Sequence, residues 1–415
     1  MDKTWIKKWQ EDLEQLRVEL QLKHKNLYFQ NSREDFFRDV DQLINDLDEL
    51  DHFMVIVRIA KIIASFRDAH TTLMIPGKWF LPFEFYWFEE GIYIVDVVND
   101  GIDGYSESVN KRVTHINKVP IADVVRRLGR IISHENEAFL KSQLPRYLRV
   151  AEVLYGLDVI DDLSRVSLGL EGIEGIVSDI VVETNDLGNC LRDVSLDCEL
   201  PLFRRNKGWN YWSQYIEEQK LLYINYNSCK DMDNINGKGI VDIVDGGVVS
   251  FFTKMMEHIC RDGVEVVVVD LRNNLGGNSN LLEPFIKDLK AWKYCEDRWE
   301  SGAAKVVYAI VGRDTFSSAL LNAYSLKKDA GAVILGEASG GKPNCYGEVQ
   351  YFDLVNSRLK VRYSTKYYEI VEDDNQLSLV PDVVFGVYFK DYINCIDPVM
   401  EYILKGKVEH NVRIT

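Results

Sequence analysis

Closely spaced cysteines are missing from this chain. Its seven cysteines, Cys190, Cys198, Cys229, Cys260, Cys295, Cys345 and Cys395, are odd in number, far apart and never in a C-x-x-C pair. That suits neither a disulfide framework nor a zinc knuckle, and they read as mostly buried thiols. Long apolar runs are lacking too: no stretch approaches the roughly 18 uninterrupted apolar residues that span a bilayer. The opening MDKTWIKKWQEDLEQLRVEL carries acidic residues among its lysines and no apolar core, so as written it cannot act as a secretory signal, and the expected address is the cytoplasm as the sequence stands, or outside it if a signal peptide was removed. Basic residues are in the minority: 49 Lys and Arg against 65 Asp and Glu leave a net charge of −16. Such a surface repels nucleic acid and anionic membranes. With 415 residues, 46% hydrophobic and 27% charged, the composition is that of a globular protein of two or three domains, which excludes a disordered or collagen-like chain.

Three textures follow one another. In SREDFFRDVDQLINDLDEL, Phe36, Val40, Leu43 and Leu47 recur at spacings of three and four, and Met54 to Phe66 is a more fully apolar run; both predict helices. From Leu81 the chain turns β-branched and aromatic, with FEFYWF and IYIVDVV on either side of Gly91, a hairpin pattern. A helical stretch over about 121–160 and weak strands over about 161–200 complete this part. From LLYINYN onward strands alternate with helices: VVSFFTKMMEHI, VEVVVVDL, a helix from about Asn278, KVVYAIVG, SSALLNAYSLKKD and GAVILGE. This order predicts an α/β layer whose central strands are buried on both faces, as the Val264 to Val269 run, broken only by Glu265, requires. No internal repeat is present.

Open α/β sheets bind ligands at the carboxyl ends of their strands, so the strand-to-helix turns are where chemistry is expected. In VVVVDLRNNLGGNSN, Gly276 and Gly277 allow a sharp turn that presents backbone N–H groups, as an oxyanion pocket requires; a plain tight turn with a structural Asp270–Arg272 pair is the alternative. In VGRDTFSSALL, Thr315, Ser317 and Ser318 stand where strand gives way to helix, as nucleophile or as simple N-caps. The third turn, GEASGGKPN, has the GxxxxGK spacing from Gly336 to Lys342, but Pro343 stands where a phosphate loop needs Ser or Thr. A lysine in such a turn can instead lose its proton through desolvation and serve as a base, or be a surface charge. Among the histidines, His70 in RDAHTT sits at the end of an apolar helix, whereas His24, His52, His115, His134, His258 and His410 lie in exposed-looking or helical contexts. No HxxxH or HExxH spacing occurs, so no metal is expected.

Together these turns resemble the tail-specific, or C-terminal processing, serine protease family, which includes the tricorn core and the retinoid-binding-protein repeats. DLRNNLGG is similar to the family's DLRxNxGG, TFSSA to its nucleophile turn, GEASGGKP to GExTxGKG, and VPDVVF to the ending of its catalytic domain, all within about 205–390. HKNLYF, RDAHTTL, FYWFEEGIYIV, THINKVP and ISHENEAFLKSQLPRYL are similar to the N-terminal part of a bacterial subgroup. The resemblance implies an α/β crotonase-like catalytic domain at 205–400, preceded by a helical domain at 1–78 and a PDZ-like or β-rich insert at 79–204, with a tail at 401–415. It implies a serine peptidase in which Ser317 forms an acyl-enzyme on peptides or unfolded segments, and in which no cofactor takes part. The separation 342 − 317 = 25 is that of the lysine-dependent members and selects Ser317 over Ser318 as nucleophile. Lys342 stands in the Ser–Lys position while His70 stands in a segment resembling that of the histidine-dependent members, so either is the expected base. Glu372, Asp373 and Asp374 are nearby acids without a clean match, the family's GKG is GKP here, and Tyr346 stands four residues after the lysine. Gly276, Gly277 and Ser318 are the expected oxyanion donors. A peptide- or ligand-binding homologue without turnover and a crotonase-fold enzyme acting on acyl-thioesters are the alternatives.

Overall fold

The computed structural model describes residues 3–97, 105–186, 199–231, 247–295 and 304–412. The chain divides into two compact units, Met1–Ser195 with Asn344–Glu369, and Leu196–Pro343 with Ile370–Thr415. Both mix helices with sheet.

The first unit opens with helices Lys3–Lys23, Arg33–Asp46 and His52–Ala64. The threes-and-fours spacing produces their core faces: Leu13, Leu16 and Leu20, then Phe36, Val40 and Leu43, then Val55, Ile59 and Ile63 are all buried in one apolar cluster. Each such side chain contributes about 1.5–3 kcal/mol when fully buried. Ser32 and Asp51 cap the second and third helices, Asp51 accepting from the N–H groups of Phe53 and Met54 at 2.8 and 2.9 Å. The aromatic hairpin forms as Phe83–Phe88 paired antiparallel with Gly91–Val97. Arg112–Ile116, Arg165–Glu171 and Val177–Glu183 extend it into a sheet, with Val119–Pro120 paired at the side. The helical stretch resolves into three helices, Ile121–Leu128, Glu137–Leu148 and Ala151–Gly156. A separate antiparallel sheet joins Thr72–Met74 to the hairpin of Cys345–Asp353 and Lys360–Tyr368. Because Thr72 pairs with Arg362, the segment Asp68 to Thr71 enters this sheet beside Ser364.

The second unit is a six-stranded sheet. Val383–Val384, Val333–Gly336, Val306–Val311, Val266–Asp270 and Leu221–Tyr226 run parallel, and Tyr211–Ile216 closes the edge antiparallel. Successive residues of a strand point to opposite faces, and here both faces are covered. Leu222, Ile224, Val267, Val269 and Ile334 pack with Phe252, Phe285 and Leu326 from the helices Gly247–Arg261, Glu283–Tyr294 and Ser318–Asp329. Leu221, Tyr223, Val266, Val268 and Leu335 pack on Val399, Met400 and Ile403 of the C-terminal helix Pro398–Val412. The uninterrupted valine run is therefore the centre of a three-layer α/β stack, and every residue of Val266–Asp270 is buried.

The cysteine expectation is corrected. Cys229 and Cys345 are buried thiols, but Cys260 and Cys295 are exposed and Cys395 is disulfide-bonded; Cys190 and Cys198 lie outside the described residues. Spacing in the sequence does not reveal which chain segments a fold returns to one another. Among the described residues no helix is long and apolar enough to cross a membrane, and no cluster of His, Cys, Asp and Glu could hold a metal ion.

Candidate active site

Ser317 stands at the N-cap position of the helix Ser318–Asp329 without a side-chain capping bond, just after the strand Val306–Val311, with φ 53° and ψ −126°. A non-glycine residue held there costs on the order of 1–3 kcal/mol, so the surroundings must enforce it. They do so through backbone. Phe316 N–H donates to the Asn274 carbonyl at 3.1 Å, and Gly341 N–H to the Thr315 carbonyl at 3.0 Å. The buried Thr315 hydroxyl donates to the Leu271 carbonyl at 2.9 Å and accepts from Gly312 N–H at 2.9 Å. Thr315 is thus a brace of the turn.

The paired glycines lie directly against the serines. A Cβ on Gly276, whose φ is +101°, would stand 2.8 Å from Ser317 Cβ and 3.0 Å from Ser318 N. One on Gly277, with φ +140°, would stand 2.2 Å from the Cys229 carbonyl oxygen. No other residue type fits either position. Gly276 N–H is already committed, donating to Asn274 Oδ1 at 2.8 Å. Asn274 is fully buried and also donates from Nδ2 to the Tyr226 carbonyl at 2.7 Å, fixing the glycine turn to the next strand. The Ser318 hydroxyl donates to the Gly277 carbonyl at 2.7 Å, which leaves its role structural, while its backbone N–H is in the first turn of a helix, where no intrahelical acceptor exists. Arg272 is the structural partner of Asp270 that the sequence allowed, bridging it to Asp397.

Lys342 is half-buried in the same unit, one residue beyond Gly341, whose own Cβ would meet Leu320 Cδ2 at 2.8 Å and Phe316 Cα at 3.5 Å. Among the described residues neither Lys342 Nζ nor Ser317 Oγ makes a hydrogen bond. The acids Glu372, Asp373 and Asp374 are exposed. Burial pushes the Cys229 thiol up to about 11, so it is no competing nucleophile.

His70 belongs to the first unit, in a buried polar cluster. Asp68 there is fully buried and takes four hydrogen bonds: His24 Nε2 at 2.9 Å, the Thr71 hydroxyl at 2.6 Å, the Ser364 hydroxyl at 2.7 Å and the His70 N–H at 2.9 Å. His24 Nδ1 accepts from Asn26 N–H at 3.1 Å, which assigns the proton to Nε2. Burial pushes the Asp68 carboxyl up, but the bond from His24, the field of His70 and the two hydroxyls outweigh it and leave it below the usual carboxylate range. Burial lowers the proton affinity of His70, with Arg362 adding to it, against the raising effects of Asp68 and of a hydrogen bond to the Tyr346 backbone. The imidazole is therefore neutral at neutral pH and retains a basic nitrogen. Tyr346 itself accepts a hydrogen bond from Asn26 Nδ2 at 3.1 Å.

Residues 220–384 match the model of peptidase family S41. The match makes that segment an S41 peptidase domain, and its chemistry that of a serine-type peptidase. Mature CPAF in complex with lactacystin is similar to it with a TM-score of 0.68 and 14% identity over 98% of both chains. A CPAF mutant gives the same TM-score and identity over 98% of this chain and 97% of that one. At this identity the likeness is one of fold. No curated protein matches the sequence.

The S41 turn residues were legible as motifs, whereas three residues of the surroundings were not. Asn274 is the second Asn of DLRNNLGG, and its position two residues before a glycine pair is a usable signal for such a clamp. Asp68 and Ser364 carried no signal. His24, expected in an exposed or helical context, is corrected: it follows the helix Lys3–Lys23 directly and is buried against Asp68.

Proposed function

We propose that this S41 peptidase hydrolyses peptide bonds in peptides or unfolded protein segments through an acyl-enzyme on Ser317. The observation that carries the reading is the strained Ser317 turn at a helix N-terminus with Gly276 pressed against it. Ser317 Oγ attacks the substrate carbonyl carbon while its proton passes to a base, which then protonates the leaving amine. Water attacks the resulting ester by the same path in reverse order. The oxyanion faces the backbone N–H groups of Gly277 and Ser318, and Gly276, whose N–H is taken, contributes closeness of approach. His70, buried and neutral, is one candidate base. Lys342 is the second reading, favoured by its place after Gly341. A lysine base requires a dry surround, and Lys342 is half-exposed. In this reading the α/β stack is crotonase-like, and the hairpin-rich part of 79–204 is a PDZ-like element that holds substrate as an added strand.

Peptide hydrolysis by the Ser317→Ala, His70→Ala and Lys342→Ala proteins tests this. Loss of about a thousandfold or more is expected for Ser317→Ala and for whichever of the other two removes the base. Loss confined to His70→Ala would make His70 the base, loss confined to Lys342→Ala would make Lys342 the base, and full activity in Ser317→Ala would end the acyl-enzyme reading.

A further inference from the structure

The first unit also has an open cavity of about 680 Å³, lined by the helices Arg33–Asp46 and His52–Ala64 and by residues just after Ile121–Leu128. Its charged lining is one-sided. Arg58, Lys61, Arg67 and Arg130 open onto it against Asp39 alone, in a chain whose net charge is −16. Arg58 is engaged by Asp46. Lys61, Arg67 and Arg130 are exposed and, among the described residues, have no carboxylate partner.

Two further observations mark Arg67. Its φ is 53°, in the left-handed region where glycine or asparagine is the low-strain choice, yet a long cation is kept there, directly before Asp68. Its charge also reaches His134 on the same lining: burial first, and then Arg67, hold that imidazole's proton affinity down, while His134 Nδ1 donates to the Ile132 carbonyl at 2.7 Å. His134 is thus a neutral neighbour of the cations.

We propose that this cavity binds an acidic segment of a peptide chain, with Asp and Glu carboxylates meeting Lys61, Arg67 and Arg130. Guanidinium forks match carboxylates in bidentate geometry, and an ammonium adds a point charge. A positive concavity on a negative protein also steers an acidic segment to this place and away from the rest of the surface. The choice of a peptide over a phosphorylated small molecule rests on the peptidase reading; the anion chemistry does not.

The test is binding of a fluorescein-labelled, glutamate-rich peptide, followed by anisotropy, with the full chain carrying Ser317→Ala so that hydrolysis does not enter. Intact mass of the recovered peptide checks that none is cleaved, so failure of the nucleophile assignment is seen separately from this result. Combining Lys61→Glu, Arg67→Glu and Arg130→Glu is expected to weaken binding at least about tenfold, and the corresponding triple change to Gln to weaken it less. An equal charge change on the first helix, Lys3→Glu with Lys7→Glu and Lys8→Glu, is expected to alter it less than about twofold. Equal weakening by both triple reversals would reduce the effect to net charge and overturn the site. So would absence of peptide binding, or unchanged binding in the cavity variants. Tripolyphosphate binding that depends on Lys61, Arg67 and Arg130, with no peptide binding, would assign the cavity to phosphate and overturn the peptide.

Discussion

The Ser317 turn and the Asp68 cluster hold reactive groups by opposite means. Around Ser317 the restraint is backbone: a left-handed residue, two glycines that a Cβ would destroy, and carbonyls taken by neighbouring N–H groups. Around His70 it is side chains, with one buried carboxylate collecting an imidazole, two hydroxyls and a backbone N–H. The first arrangement tolerates no added atom but little polar tuning. The second fills a fixed space and fails when a donor or acceptor loses its partner.

Substitutions can break this contrast. Gly276→Ala puts a Cβ within 2.8 Å of Ser317 Cβ at a φ of +101°, and is expected to cost about 2–4 kcal/mol in urea unfolding and nearly all peptidase activity. Ser318→Ala, which loses one hydroxyl bond to the Gly277 carbonyl, should cost only about 1 kcal/mol; equal costs for the two would refute a backbone-built turn. Asp68→Asn leaves at least one of its donors facing an amide N–H₂ in a dry site and is expected to cost about 1–3 kcal/mol by the same measurement. Assayed where the variant is fully folded, it should lower kcat more than it raises KM if His70 is the base.

The pH dependence of stability sharpens the comparison with a smaller effect. Burial depresses the pKa of His70 and His134 in the folded protein. Their stabilisation is present above the unfolded value near 6.5 and is lost as pH falls toward the folded values, because the unfolded chain takes up protons that the folded one refuses. Asp68, also depressed, loses its contribution only at lower pH, below about 4. Unfolding free energy should thus decline as pH falls below about 6.5, and His70→Gln should flatten part of that decline; an unchanged slope would contradict the buried, neutral state of His70.

The two sites were not equally legible in the amino-acid sequence. Backbone-built sites are written locally: strand, glycines and helix follow in order, so DLRNNLGG and TFSSA pointed to the turn, and the strand–helix alternation pointed to the α/β stack. What spacing could not reveal was that Gly276 spends its N–H on Asn274. The Asp68 cluster is assembled from residues 44 and 296 positions away. Nothing in RDAHTT announces His24 or Ser364, because their meeting is a property of how Thr72–Met74 pairs with Lys360–Tyr368. The Cys395 disulfide escaped for a similar reason, since a lone cysteine in sequence carries no sign of its partner.

The central claim is that Ser317 is an activated nucleophile. Reaction of the intact protein with a fluorophosphonate, read by intact mass and by peptide mapping, tests it most directly. One adduct per chain, located on Ser317 and absent from Ser317→Ala, is the result expected. Labelling that persists in Ser317→Ala, or that maps to Ser318 or another residue, would contradict it.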